Sequence, residues 1–257
     1  MQSDIVIEAV DLKKVYKRHT VEAVKGISFT VKSGICFGIL GPNGAGKSTT
    51  MEMLQGILKP TSGTLKLFGT TYTQNATAIK SRMGGILQEN KLYGKLKVRE
   101  AIELFQSFYK KPKEVHEVLS ILNLQSLSER YLMALSGGQR QRVFIGTVLV
   151  GDPDLIFLDE PTTGLDPTTR NEFWSLIRNL KEEKKTIVLT THYMEEAETL
   201  CDELIVVDGG IIIESGSPTQ LIERVMSGFV VPEKPRQATL NDVFLKLTGR
   251  SLSGEVK

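Results

Sequence analysis

Ile35-Cys36-Phe37-Gly38-Ile39-Leu40-Gly41-Pro42-Asn43-Gly44-Ala45-Gly46-Lys47-Ser48-Thr49 is the stretch that decides the fold. Its first six residues form a continuous apolar run with no alternation, the pattern of a central strand covered on both faces. The remainder satisfies Gly-x-x-x-x-Gly-Lys-Ser, and the run from Ser48 to Leu58 reads as the helix that follows such a loop. Glycines let the backbone fold tightly, so that N–H groups converge on phosphate oxygens at a helix N-terminus. Lys47 would then reach the terminal phosphates of a nucleotide, and Ser48 would ligate Mg²⁺.

Two further runs of the same kind lie downstream, Leu155-Ile156-Phe157-Leu158 and Thr186-Ile187-Val188-Leu189-Thr190. Between them Phe173, Leu176, Ile177 and Leu180 recur at i, i+3, i+4, i+7, which marks an amphipathic helix. Strand, helix, strand in that order predicts a mostly parallel sheet with right-handed crossovers. Upstream, Ile5 and Ile7, then Ile27, Phe29 and Val31, fall on every second position on either side of a basic stretch from Lys13 to Thr20. That period predicts half-buried antiparallel strands. Residues 90–150 carry helical spacing (Ile102, Phe105, Tyr109; Val115, Val118, Leu119, Leu122) and read as a mainly helical insertion. Leu204 to Ile213, with Asp208-Gly209-Gly210 in the middle, reads as a tight hairpin. Residues 1–226 thus read as one domain. Ser227 to Arg236 reads as a linker, and Leu240, Val243, Phe244 and Leu247 form a last helical face, opened by Thr239 and closed by Gly249.

The chain has 257 residues, 40% apolar and 24% charged, so it is neither disordered nor collagen-like. That length buries roughly 70 to 75% of the unfolded surface, which allows one or two domains. A net charge of +2 lacks the concentrated basic excess of a nucleic-acid groove. Cys36 and Cys201 read as free thiols in a reducing compartment. The first residues show no signal-peptide pattern, and the longest mostly apolar run, Val143 to Val150, falls short of the roughly twenty residues that span a bilayer. The expected location is cytoplasmic, with any membrane role exerted through a partner.

The second half of a phosphate site is expected at the end of another parallel strand. Asp159 and Glu160 follow Leu155 to Leu158, so Asp159 is the candidate Mg²⁺ ligand and Glu160 the candidate base for an attacking water. Two adjacent carboxylates also suit a solvated turn, and the phosphate loop favours the functional role. Leu135-Ser136-Gly137-Gly138-Gln139 precedes an apolar helix and offers a second anion-binding N-terminus, or by itself an ordinary helix cap.

With these segments in this order, residues 5 to 225 resemble the ATP-binding cassette (ABC) ATPases, the nucleotide-binding subunits of ABC transporters. Gly41 to Thr49 resembles the Walker A loop, Gln88 the Q-loop glutamine and Leu135 to Gln139 the signature sequence. Leu155 to Glu160 resembles Walker B with its glutamate, Gly164-Leu165-Asp166 the D-loop, and Thr191-His192 the switch histidine. Tyr16 is placed like the aromatic that stacks on adenine. The resemblance implies a P-loop NTPase fold with a central mostly parallel sheet, an N-terminal antiparallel β subdomain and a helical signature subdomain.

It implies function as well. Two copies, identical or different, would sandwich two ATP molecules, with Ser136, Gly137, Gly138 and Gln139 of one copy against the phosphates held by Gly41 to Thr49 of the other. Asp166 would couple the two sites, Gln88 would join the Mg²⁺ and water network, and His192 would hold the γ-phosphate. ATP and Mg²⁺ are the implied ligands. A separate transmembrane permease is the implied partner, with the segment Glu89 to Lys95 against it at the cytoplasmic face of the membrane. The tail from Thr239 to Gly249 is similar to that of export-type subunits for drugs, antibiotics or polysaccharides; an uptake or maturation system is the alternative. Soluble ABC ATPases of DNA or ribosomes fit poorly, because only forty-six residues separate Gln88 from Leu135 and a single Lys47-type loop is present. A small-molecule phosphoryl transferase has no use for the signature. Two positions depart from the common pattern: Leu87 replaces the usual proline before the glutamine, and Gly146-Thr147-Val148 replaces a usual Ala-Arg-Ala. His19 and His116 read as solvated surface, and Trp174 as core packing.

Overall fold

The computed structural model describes residues 5–16, 21–86, 92–226 and 239–248. Gln88, Leu87, His19, Gly249 and the expected linker from Ser227 to Arg236 lie outside the described residues. Two sheets organise the chain. Strands β1 (Ile5–Tyr16), β2 (Val21–Lys32) and β4 (Ser62–Leu67) form an antiparallel sheet in the order β2-β1-β4. Strands β3 (Cys36–Leu40), β5 (Met83–Ile86), β6 (Leu155–Asp159), β7 (Thr186–Thr191), β8 (Glu203–Asp208) and β9 (Ile211–Gly216) form the second, in the order β5-β6-β7-β3-β8-β9. All pairs in it are parallel except the β8/β9 hairpin. This is the P-loop NTPase architecture expected from the sequence, with its separate antiparallel sheet.

The apolar runs are buried on both faces because the pleat sends alternate residues to opposite sides. Cys36 and Leu40 of β3, Ile156 and Leu158 of β6, and Ile187 and Leu189 of β7 enter one core. That core is shared with helices α3 (Val98–Gln106), α4 (Val115–Ile121), α5 (Gly137–Leu149), α6 (Pro167–Glu182) and α7 (Met194–Leu200). Phe37, Ile39, Leu155, Phe157 and Val188 enter the other, against the antiparallel sheet and helix α1 (Lys47–Leu54). Residues 92–149 contain helices, two short 3-10 turns and one isolated bridge between Lys97 and Tyr131, but no strand among the described residues.

Several details differ from the sequence-based expectation. Helix α1 stops at Leu54, short of Leu58. The basic stretch after Leu12 is strand as far as Tyr16, and pairing with β2 resumes at Val21. Helix α2 (Tyr72–Lys80) escaped the reading because Ile79 is its one buried residue, and Asn75 interrupts its helical geometry. Strand β5 escaped because its sequence, Met-Gly-Gly-Ile, carries little apolar signal. Helix α8 (Pro218–Met226) is a further element, and helix α9 (Leu240–Thr248) buries Leu240, Val243 and Phe244 in the helix-side core. The Leu240 N–H donates to Glu198 Oε1 of α7 at 2.5 Å, so the last helix docks on the catalytic core. None of the helices is long and apolar enough to cross a membrane among the described residues.

Cys36 and Cys201 are both buried and free. A hydrogen bond from the neighbouring Cys36, together with burial, raises the Cys201 thiol well above its ordinary range. Gly38 lies under this pair: a Cβ there would stand 2.7 Å from Cys201 Sγ and 3.1 Å from Leu204 Cβ. Gly38→Ala overpacks the central strand and is expected to lower unfolding free energy by about 1–3 kcal/mol. An unchanged urea midpoint would show that α7 yields freely at this contact.

Candidate nucleotide site

The sheet order β6-β7-β3 places three adjacent strand ends side by side, and each ends in a sequence-predicted site residue. After β3, Gly41 N–H donates to Thr191 O at 3.3 Å, which ties the loop to the end of β7. Gly46 sits at φ 99°, and a Cβ on it would lie 2.4 Å from Ala23 O, so only glycine lets the loop pass under β2. From the other side, Gly210 N–H of the hairpin donates to Ala45 O at 3.1 Å. Asn43 and Gly44, at the tip, are exposed.

Lys47 opens α1 and is only 4% exposed. Its ammonium donates to Gly41 O at 3.0 Å and Pro42 O at 3.1 Å, and it pairs with Glu160 Oε1 at 3.1 Å. His192 Nδ1 lies 3.2 Å from Glu160 Oε2, and the Thr163 hydroxyl donates to the same oxygen at 3.3 Å. Glu160 itself adopts φ 47°, a left-handed conformation that costs a residue with a side chain roughly 1–3 kcal/mol. Its N–H is held by Thr190, through the hydroxyl at 2.9 Å and the carbonyl at 3.2 Å. Burial pushes its carboxyl up, but Lys47 and His192 outweigh burial and hold it below its ordinary value.

Asp159, one residue earlier, goes the other way. Burial raises its pKa against the opposing hydroxyls of Thr190 and Ser48. The Thr190 hydroxyl donates to Asp159 Oδ1 at 2.5 Å, and Ser48 Oγ lies 3.4 Å from the same atom. Tyr16 stands beside the first turn of α1, its hydroxyl 3.4 Å from Thr49 Oγ1 and the residue 37% exposed.

The remaining residues are arranged elsewhere. Ser136 caps α5, its hydroxyl accepting the Gln139 N–H at 3.2 Å while the Gln139 side chain accepts the Ser136 N–H at 3.1 Å. This capping box leaves Ser136 and Gly137 on the surface, while Gly138 packs on Thr169 of α6. Asp166 caps α6 by accepting from Thr168 N and Thr169 N, each at 3.1 Å, and from the Thr169 hydroxyl at 2.6 Å. Those bonds, the hydroxyl's first, lower its pKa. His116 is exposed, as expected. Trp174 is core, as expected, but its indole N–H also donates to Glu196 Oε1 at 3.1 Å. Thr190 and Glu196 were not identified from sequence. A threonine inside a strand buried on both faces was a usable signal, since buried hydroxyls need partners. Nothing in the pattern of α7 distinguished the buried Glu196 from the exposed Glu195 beside it.

A Gly-rich loop, a buried lysine and two carboxylates at the carboxyl edge of a mostly parallel sheet define a nucleotide-hydrolysing P-loop protein. Comparison with known proteins narrows this class. The family model for the ABC transporter matches residues 24–163. The Nod factor export ATP-binding protein I of Ralstonia nicotianae is 43% identical over 222 residues, 84% of this chain and 68% of that protein. The solved structure of cbiO1 from Clostridium perfringens, part of the ABC transporter complex cbiONQ, matches with a TM-score of 0.76 at 29% identity, over 88% of this chain and 96% of that one. A dimeric ATP-binding cassette in a post-hydrolysis state with ADP and Pi matches with a TM-score of 0.73 at 27% identity, over 82% and 98%. The chain belongs to the ABC transporter family and is its ATP-binding subunit, an ABC ATPase.

Gly46→Ala would put a methyl group into Ala23 O at a backbone angle that disfavours it. The expected result is a loss of ATP affinity of about five- to hundredfold, from strain on the order of 1–3 kcal/mol in the loop. Binding of a fluorescent ATP analogue checks this, and wild-type affinity would show that the loop has room to shift.

Proposed function

We propose that this chain hydrolyses ATP to power export through a separate transmembrane permease, at the cytoplasmic face of the membrane, as one of two ATPase subunits. The observation that carries the hydrolytic part is the Lys47, Glu160 and His192 cluster at the ends of β3, β6 and β7. Export rests on the relatives named as export ATP-binding proteins, at about 40% identity. Dimerisation rests on the dimeric cassette among the solved relatives, and on the exposure of Ser136 and Gly137, which leaves them accessible to a second copy. Whether that copy is identical or different, Ser136, Gly137, Gly138 and Gln139 would face the phosphates held by Gly41 to Thr49.

The residues perform the reaction as follows. Tyr16 stacks on the base, and the backbone N–H groups of Gly44 to Thr49 take the phosphates, helped by the α1 N-terminus. Lys47 holds the terminal phosphates. The ammonium now paired with Glu160 is the one those oxygens need, so phosphate and carboxylate compete for it. Phosphate that takes Lys47 releases Glu160, whose pKa then rises toward the ordinary carboxylate range and makes it a better base. Glu160 accepts a proton from the attacking water, and His192, beside it, contacts the γ-phosphate. Asp166 relays the state of one site to the other, and Gln88 joins the network around the water and the metal.

The donors present fit Mg²⁺. Ser48 Oγ and Asp159 Oδ1 lie 3.4 Å apart and converge on one place. No group of three or more His, Cys, Asp or Glu placed to hold a metal ion occurs among the described residues, and Mg²⁺ characteristically takes one or two carboxylates plus phosphate oxygens and waters. When bound, Mg²⁺ neutralises charge on the phosphates. Asp159 and Ser48 would hold it, and the Thr190 hydroxyl orients Asp159 for that task.

Glu160→Gln is expected to bind ATP and to lose turnover by about a hundredfold or more, because general-base help is worth roughly 10²–10⁴. Steady-state phosphate release measures it, and light scattering of the same variant with Mg·ATP reads the dimer; wild-type turnover would remove Glu160 from the mechanism. Thr190→Val leaves Asp159 unoriented and is expected to raise the Mg²⁺ concentration for half-maximal ATPase activity about ten- to hundredfold. A Mg²⁺ titration that superimposes on wild type would refute the orienting role.

A further inference from the structure

Glu196 of α7 is a carboxylate with no solvent exposure, outside every motif identified in the sequence. Burying such a group is costly unless polar partners surround it. Its partners come from separate segments. Oε1 accepts the Thr162 hydroxyl at 2.8 Å and the Trp174 indole N–H at 3.1 Å. The Thr191 hydroxyl also faces the carboxylate, and that hydroxyl accepts the Tyr193 N–H at 2.9 Å. Arg170 supplies the nearest positive charge; its guanidinium lies 5.4 Å from the Trp174 ring and 5.7 Å from the Tyr193 ring, and it pairs with Glu195 at 3.5 Å.

Each of these segments carries a residue of the reaction. Thr162 lies two residues after Glu160, Thr191 immediately before His192, and Trp174 on the helix that Asp166 caps. Glu160 and His192 meet at 3.2 Å from different loops; the Thr190 bonds to the Glu160 N–H hold its backbone against β7, and the loop beyond it is held through Thr162. An error of an ångström in a catalytic pair costs on the order of a hundredfold in rate. Glu196 itself follows His192 by four residues on α7, so its buried Oε1, bonded to Thr162 of the loop after β6 and to Trp174 of α6, ties the two loops together. The same burial raises the Glu196 pKa, but an acceptor oxygen serves the lock in either protonation state.

We propose that Glu196 is a positioning residue for ATP hydrolysis. Its carboxylate locks the loop after β6 to the loop after β7, and so holds Glu160 and His192 in register over Lys47. This rests on the reading of Glu160 and His192 as residues of the reaction, and adds to it what fixes their geometry. Glutamine at 196 keeps an acceptor oxygen for Thr162 and Trp174, whereas alanine removes it.

The test uses the full chain, with ATPase kinetics, nucleotide binding and thermal unfolding measured on each variant. Glu196→Ala is expected to lower kcat about ten- to hundredfold with KM for ATP within about twofold, at temperatures well below its own unfolding. Glu196→Gln is expected to recover most of that loss. Thr162→Val and Trp174→Phe each remove one donor with little change of shape, and each is expected to lower kcat severalfold with KM unchanged. These two decide the matter if Glu196→Ala does not fold. Wild-type kcat in both donor variants, equal damage in Glu196→Gln and Glu196→Ala, or a loss that only tracks the unfolded fraction would each overturn the proposal. Glu160→Gln run alongside separates the two claims. Full turnover in Glu160→Gln overturns the base assignment and the positioning role with it. An inactive Glu160→Gln beside an unimpaired Glu196→Ala overturns the positioning role alone.

Discussion

The buried ammonium of Lys47 is the point on which the site closes. A lysine that is only 4% exposed needs compensating partners, and it finds them in two loop carbonyls and the Glu160 carboxylate. Those partners belong to segments more than a hundred residues apart, so the pairing is available only where β6, β7 and β3 lie side by side. The continuous apolar runs that make these strands insoluble on either face are therefore what brings the charge centre together. The backbone of Glu160 is held in a left-handed conformation by Thr190, so side-chain direction at this point is set by β7 and not by local preference.

Two neighbouring carboxylates have opposite electrostatic fates here, for reasons visible in their contacts. Asp159 faces inward among hydroxyls, where burial dominates and raises its pKa. Glu160 turns out of the strand toward Lys47 and His192, and those charges overcome the same burial. Groups whose environments push their pKa values apart are suited to different tasks. The split suits the proposed roles, in which Asp159 takes the metal side and Glu160 the proton-accepting side. The signature segment contributes no part of this cluster. Its polar groups are occupied by the capping of α5, and what it presents outward is an exposed helix start.

Much of this was legible in the chain because each signal was local. The strand before Gly41, the loop through Lys47, the helical spacing in α6 and the hairpin after Leu204 are patterns of a few residues, and the structure forms each of them. What escaped was either weak locally or relational. Helix α2 and strand β5 carry too little apolar periodicity to announce themselves, and the end of α1 at Leu54 overrode an apolar pattern that ran on to Leu58. Thr190 looked like one more residue of a buried strand, and its importance lies in two acceptor and donor groups on a neighbouring strand and loop. Cys36 and Cys201, remote in sequence, lie together over Gly38 because β3 and the end of α7 pack against each other.

By itself, the sequence determined the class of fold, the phosphate loop, the pair of carboxylates and the family resemblance, because all four are written in short stretches whose spacing is fixed by strand and helix periods. The tertiary structure alone decided which of those groups touch. It set Glu160 on Lys47, turned Asp159 inward, and spent the Asp166 carboxylate on the start of α6. It also buried Glu196 against Thr162 and Trp174 while leaving Glu195 in solvent. Hydrogen-bond partners and burial depend on the order in which strands meet, and nothing within a single stretch of chain carries that order.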